Sequence, residues 1–206
     1  MKRLVFLFSW LIALSCKNTN TAKPEAGNHS SADMANFYLT LPQTMNDMVN
    51  RMKAIPFSGN NDRDFASLMR EYYDGAIDIA RLQFAHGKQK DLKAFSQATI
   101  KDLKQELLVL SNFLKDEPTE KSSSAQMFQR AIKNALSQIP ADNSLHGRET
   151  DHLFVQLMIN HHKAGLQLLR AELEYGAHQT MKIDARNRLA KQAEEIKWLQ
   201  SWLSKN

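Results

Sequence analysis

A chain of 206 residues and 23.5 kDa is long enough for one domain, or two short helical modules, with a substantial core. Its 43% hydrophobic and 24% charged residues exclude wholesale disorder and a polytopic membrane protein. Seven Gly and five Pro beside abundant Ala, Leu, Lys, Gln, Met and Glu favour helices. The net charge of +5 comes without any basic stripe interleaved with aromatics, so nucleic acid is not an expected partner, and the single cysteine excludes a disulfide framework and a cysteine zinc cage.

Met1-Lys2-Arg3 is a short cationic head, and Leu4 to Leu14 is an apolar run broken only by Ser9. At 1.5 Å per residue that run covers about 16 Å, roughly half of a bilayer's hydrocarbon core, so it reads as an export signal rather than a spanning helix. It ends in Ala13-Leu14-Ser15-Cys16, which resembles a lipobox, and the expectation is a lipoprotein signal over residues 1–16 with Cys16 lipidated. Loss of Lys2 and Arg3 would leave a mature charge of about +3. Residues 17–32 are polar, rich in Asn, Thr and Ser, and too poor in apolar side chains to offset their ordering entropy; they read as a flexible tether in which His29 is solvated.

From residue 33 to 206 the pattern is a helical domain. Apolar residues at three-to-four spacing predict helices over Asp33–Ile55, Asp62–His86, Lys90–Leu114, Ser124–Ile139, Glu149–Tyr175 and Lys182–Leu203. Breaks fall at Pro56 with Ser58-Gly59-Asn60, at Gly87, Pro118, Pro140 and Gly176, and Pro42 is expected to split or kink the first segment. Asp62 and Ser124 are the expected N-caps. No strand pattern is present.

Shifting the chain by 89 residues aligns two halves without a gap: Asp62 on Asp151, Phe65 on Phe154, Met69 on Met158, Gly87 on Gly176, Glu106 on Glu195 and Leu114 on Leu203. A constant offset carried through the glycine between two helices implies duplication of a helical hairpin, with repeats at 62–115 and 149–204. Two such hairpins, each with one apolar stripe, make a four-helix core; the 124–139 helix then crosses between them and the 33–55 helix packs outside.

Met158, His161 and His162 form the one local cluster that stands out. They lie at i, i+3 and i+4, so one helical turn carries a thioether and two imidazoles. That donor set suits copper, cuprous copper in particular, while imidazole alone also accepts zinc or nickel. Neighbouring histidines diverge by about 100°, so a complete site needs a ligand from a second helix. Asp151 and Glu195 are the candidates, with His152 and His178 less well placed. The structural alternative is a set of core-filling methionines with one hydrogen-bonded and one surface imidazole. Tyr72 and Tyr73 stand at the matching first-half positions and read as aromatic packing.

The string Asp151-x-x-Phe154-x-x-x-Met158-x-x-His161-His162-x-x-x-Leu166, followed by Gly176, Gln192-x-x-Glu195-Ile196 and Trp202-Leu203, resembles the family called domain of unknown function 305. The frame recurs in degraded form from Asp62 through Met69, Tyr72 and Tyr73 to Glu106-Leu107 and Phe113-Leu114. The resemblance implies a ferritin-like bundle. Because exported members of the family are implicated in copper binding and resistance, it also implies Met158, His161 and His162 as ligands. Trp198 and Val109 stand where the family pattern commonly carries a methionine, so half of the soft-ligand set remains.

Enzymatic readings find no support in the sequence. Di-iron chemistry needs two Glu-x-x-His helices, whereas Glu149-Thr-Asp-His152 is a single match with Asn60 and Arg63 at the duplicated places. There is no nucleophile elbow, phosphate-cradling loop or nucleotide fingerprint. Two functions stay open: an exported, lipid-anchored bundle that captures copper or a similar metal, and a metal-free structural or interaction module of the cell envelope. A metal site should bring one of the two histidines within reach of a ligand on a second helix; a scaffold should leave them solvated or bonded to backbone.

Overall fold

The computed structural model describes residues 31–116, 120–139 and 149–206, with residues 31–40 and 116 as backbone alone. The signal, Cys16 and the tether therefore lie outside the described residues, except that Ser31 and Ala32 open the first helix. Six helices follow in chain order: α1 Ser31–Ala54, α2 Asn61–His86, α3 Lys90–Asp116, α4 Ala125–Ser137, α5 Thr150–Tyr175 and α6 Gln179–Lys205. The described residues contain no strand. The fold class is all-α, and the expected helices are found with ends within about three residues. α1 runs on through Pro42 instead of splitting there.

α2 packs chiefly on α3, α5 on α6, and α2 on α5; α4 lies on α5, and α1 on α2 and α5. α1 is thus more than an outer layer. Leu41, Met45, Met48 and Met52 recur on one face and are fully buried. Gly75 makes room for this face, because a Cβ there would run into the Met48 side chain. α4 buries Phe128, Ile132, Ala135 and Leu136, a single stripe as expected for a short helix lying on a larger body.

The start of α2 shows how local chemistry fixes the assembly. Asn60, not Asp62, is the N-cap: its side chain accepts from the Arg63 amide at 2.9 Å. Asn60 also donates to the Glu120 carbonyl, and Asn61 donates to the Tyr175 carbonyl and to Ser124. Gly59, at φ +90°, provides the left-handed turn that starts this arrangement, and Asp64 accepts from Ser58 and from the Gly59 amide. Ser124 does occupy the N-cap position of α4, but its side chain makes no capping bond.

Asp62 is released from capping for a longer-range task. Its carboxylate accepts from the amides of Ala177 and His178, which follow the end of α5. Asp151, 89 positions later, accepts from the amides of Lys88 and Gln89, which follow the end of α2. Each helix start therefore satisfies the backbone donors at the end of its antiparallel partner. The Gln83 amide completes the second arrangement, donating to Asp151 at 2.5 Å. Glu172 holds the matching place beside Asp62, and burial first, then the Asp62 charge, push its pKa up to about 9. With a pKa of about 9, Glu172 is protonated at neutral pH and stands uncharged beside the Asp62 carboxylate, as the Gln83 amide does beside Asp151.

A carboxyl with a raised folded-state pKa binds a proton that the unfolded chain has already lost, so its contribution is present below its ordinary range and is lost as pH rises towards 9. Chemical denaturation between pH 5 and 9 should show the wild type losing on the order of 2 kcal/mol more than Glu172→Gln. Equal pH slopes would show that Glu172 is ionised in the folded protein.

Candidate functional site

His161 and His162 are both buried in the middle of α5, but they face different helices. The His161 ring stacks on Tyr72 of α2, with centroids 3.8 Å apart and planes 17° from parallel. Its Nε2 lies 3.2 Å from the Tyr72 carbonyl oxygen, and the Tyr72 hydroxyl returns a 2.9 Å bond to the His161 carbonyl. A carbonyl can only accept, so Nε2 carries the hydrogen and Nδ1 keeps its lone pair. Nδ1 is buried and has no partner among the described residues. Gly165 permits this approach, since a Cβ there would meet the Tyr72 hydroxyl and the Gln192 side chain. Tyr72 is therefore more than packing.

His162 turns to α6. Its Nε2 lies 3.3 Å from Glu195 Oε2, without the alignment of a hydrogen bond, and both ring nitrogens are buried and unbonded among the described residues. Burial, the neighbouring His161 and Lys191 hold the His162 pKa well below its ordinary value, so its contact with Glu195 is not an ion pair at neutral pH. Burial also lowers His161 to about 4, against a raising effect of the bond to Tyr72. Both imidazoles are thus neutral at neutral pH and keep their lone pairs. Burial raises Glu195 from its ordinary value, opposed by Lys191. The two rings stand 5.6 Å apart and 70° from parallel, the divergence expected of helical neighbours.

A small cavity of about 20 Å³ lies among these groups, lined by Tyr72, His161, His162, Gln192, Glu195 and Thr99 and also by Tyr73, Asp102, Leu103 and Arg188. That is enough room for one water or one ion. Arg188 donates to Asp102 at 2.5 Å, pairs with Glu106, and lies 5.7 Å from the centre of the Tyr73 ring. Burial disfavours its charge, but the bonds to the two acids raise its pKa above the ordinary value. Lys191 adds a 2.8 Å contact to Asp102. On α6, Arg188, Gln192 and Glu195 are spaced i, i+4, i+7 and form one inward stripe; on α3, Asp102 and Glu106 are i, i+4. Glu195 was a candidate ligand on sequence grounds, but Asp102, Glu106 and Arg188 had no part in the expected site. The 89-residue offset, which aligns Glu106 with Glu195, was the available signal.

Of the expected ligands, the structure brings His162 and Glu195 together and places His161 beside them. Met158 is fully buried one turn earlier on α5, in the apolar core. Asp151 is not part of the cluster: its oxygens are committed to Lys88, Gln89 and Gln83 near the start of α5. His152 packs on Trp202 and His178 on Phe113, both away from the pair. Among the described residues no group of three His, Cys, Asp or Glu side chains is arranged to hold a metal by itself. The two outcomes that separate a metal site from a scaffold are divided between the histidines, since His162 reaches a ligand on a second helix and His161 bonds to backbone.

These features define an all-helical protein with a polar layer of His, Tyr, Arg and Glu sealed between its helices. Residues 115–203 match the family model described as Domain of unknown function (DUF305), so the resemblance drawn from the sequence holds over that stretch, which takes in α4, α5 and α6. Among solved structures, CopM in the Ag-bound form (by soaking) is 20% identical with a TM-score of 0.53, covering 70% of this chain and 96% of that chain. CopM in the Cu(I)-bound form is 18% identical with a TM-score of 0.54 and the same coverage. At such identities the likeness is one of fold. No curated protein matches the chain.

The Tyr72–Gly165 contact is open to a double-mutant cycle. Tyr72→Phe should cost about 1 kcal/mol by removing one buried hydrogen bond, and Gly165→Ala about 1–3 kcal/mol by overpacking. Combined, they should cost at least about 0.5 kcal/mol less than the sum, because the phenylalanine removes one of the obstructing atoms. Additive denaturation free energies would show that the hydroxyl does not govern the approach of α2 and α5.

Proposed function

We propose that this chain is an exported, lipid-anchored protein of the bacterial cell envelope that binds a copper or similar transition-metal ion inside a ferritin-like four-helix bundle. The bundle consists of α2, α3, α5 and α6 as two duplicated hairpins. Export and anchoring rest on the sequence of residues 1–16, ending at Cys16. The metal reading is carried by one observation: a buried imidazole, His162, whose two nitrogens have no hydrogen bond among the described residues, faces Glu195 beside a cavity the size of one ion. Buried polar atoms without partners are costly, and a site that leaves them so is suited to a ligand that pairs them. His162 and Glu195 would hold the ion, with the unbonded Nδ1 of His161 as the further donor on α5, while Met158, expected from the sequence as a ligand, lies in the apolar core and does not line the cavity. A mixed imidazole and carboxylate set accepts Cu(II) and Zn(II), and imidazole also takes Cu(I). CopM, a structure of the same fold, is described in Ag-bound and Cu(I)-bound forms, which favours copper for this chain.

The alternative is a metal-free scaffold, favoured by the bond of His161 to backbone and its stacking on Tyr72. Catalysis is not proposed. Calorimetric titration of the full-length protein in detergent with Cu(I), Cu(II) and Zn(II) separates the two. A bound ion should be weakened at least tenfold, about 1.4 kcal/mol, by His162→Ala and by Glu195→Gln. Absence of binding tighter than about 100 μM (roughly 5.5 kcal/mol), or binding indifferent to His162, would favour the scaffold.

A further inference from the structure

The polar layer is built on the 89-residue offset, and its two halves differ at several matched pairs, among them Tyr73 with His162, Thr99 of α3 with Arg188 of α6, and Asp102 with Lys191. Glu106 matches Glu195. In the half containing Glu106, the buried Arg188 guanidinium fills the space: it bonds to Asp102 and Glu106 and lies over the Tyr73 ring. In the half containing Glu195, the matching residue is the short, uncharged Thr99. There Glu195 makes no ion pair with a guanidinium among the described residues, and the His162 nitrogens are unbonded among them. Both groups border the small cavity, whose lining Tyr73, Asp102 and Arg188 share.

We propose that Arg188 is a resident cation that occupies the counterpart of the His162–Glu195 site, so that the chain offers one metal position where its repeated architecture would otherwise provide two. This rests on the metal reading of His162 and Glu195, but it makes a separate claim about Arg188. A carboxylate in a low-dielectric interior requires positive charge close by. Arg188 pairs directly with Glu106 and Asp102, while Glu195 feels Lys191 and Arg188 only from beyond ion-pair distance and is left for an exchangeable ion. Arg is suited to the closed half, because its planar fork serves two carboxylates at once and its face lies against an aromatic ring. Tyr73 fits the same division, since a phenol beside a guanidinium has no call for the lone pair that an imidazole would offer a metal.

The test is the stoichiometry of Zn(II) and Cu(I) binding to the full-length protein in detergent, with melting curves to establish folding. Wild type should bind one ion, Arg188→Lys one, and Tyr73→His/Arg188→Thr two. Combined with His162→Ala, the double variant should still bind one ion, now at Glu106. A wild type that binds none beside a double variant that gains one in the His162→Ala background would defeat the proposed function and uphold the role of Arg188. A folded double variant that gains no ion would overturn that role. If the double variant does not melt cooperatively, Thr99→Arg decides: a guanidinium placed against Glu195 should raise the melting midpoint and abolish any ion bound by the wild type. An unchanged or lowered midpoint, or an ion retained in this variant, would overturn the inference.

Discussion

Two carboxylates, Asp62 and Asp151, hold the molecule in register. Each sits in the first turn of one long helix and gathers the backbone amides that follow the end of the other. Such amides are donors that must be satisfied when buried, and a charged acceptor does so more strongly than a neutral one. Because both ends are fixed, α2 and α5 cannot slide past each other without losing both sets of bonds. Tyr72 and His161 each lie ten positions, about 15 Å, beyond their aspartate, and the clamp presents them to each other in the interior. The polar layer that includes His162 and Arg188 depends on that register.

The helices were legible because their boundaries are chemical. Gly87 and Gly176 end α2 and α5 with the same backbone bond back to residues 83 and 172, and the apolar stripes in between have helical spacing. Asp62 was misjudged in detail: Asn60 has the geometry to cap, and the aspartate two places on is turned towards a chain segment more than a hundred residues away. Pro42 was expected to interrupt α1, but a helix buried along one face tolerates a missing amide better than an isolated one.

The site was legible only in part. Met158, His161 and His162 stood out because their donor chemistry is unusual within one turn. Of their neighbours only Glu195 was anticipated; Asp102, Glu106 and Arg188 were not, because they are common residue types on amphipathic helices, and sequence alone does not tell a solvated charge from one held between helices. Local spacing also cannot show that two adjacent imidazoles will turn to different neighbours. Asp151 illustrates the opposite error: an acid on the right helix, of the right type, spends its oxygens on backbone amides.

The methionine face of α1 carries a further consequence. Leu41, Met45, Met48 and Met52 join this helix to α2 and α5 mainly by apolar contact, with Arg51 and Glu71 paired at its exposed edge. Contacts of that kind are non-directional, and unbranched thioethers adapt to small displacements. α1 is thereby held without the charged clamp that fixes the pair beneath it, and it is the long helix expected to open first. Its amides should exchange with solvent through this partial opening, whereas those at the centre of α2 and α5 should wait for unfolding of the whole.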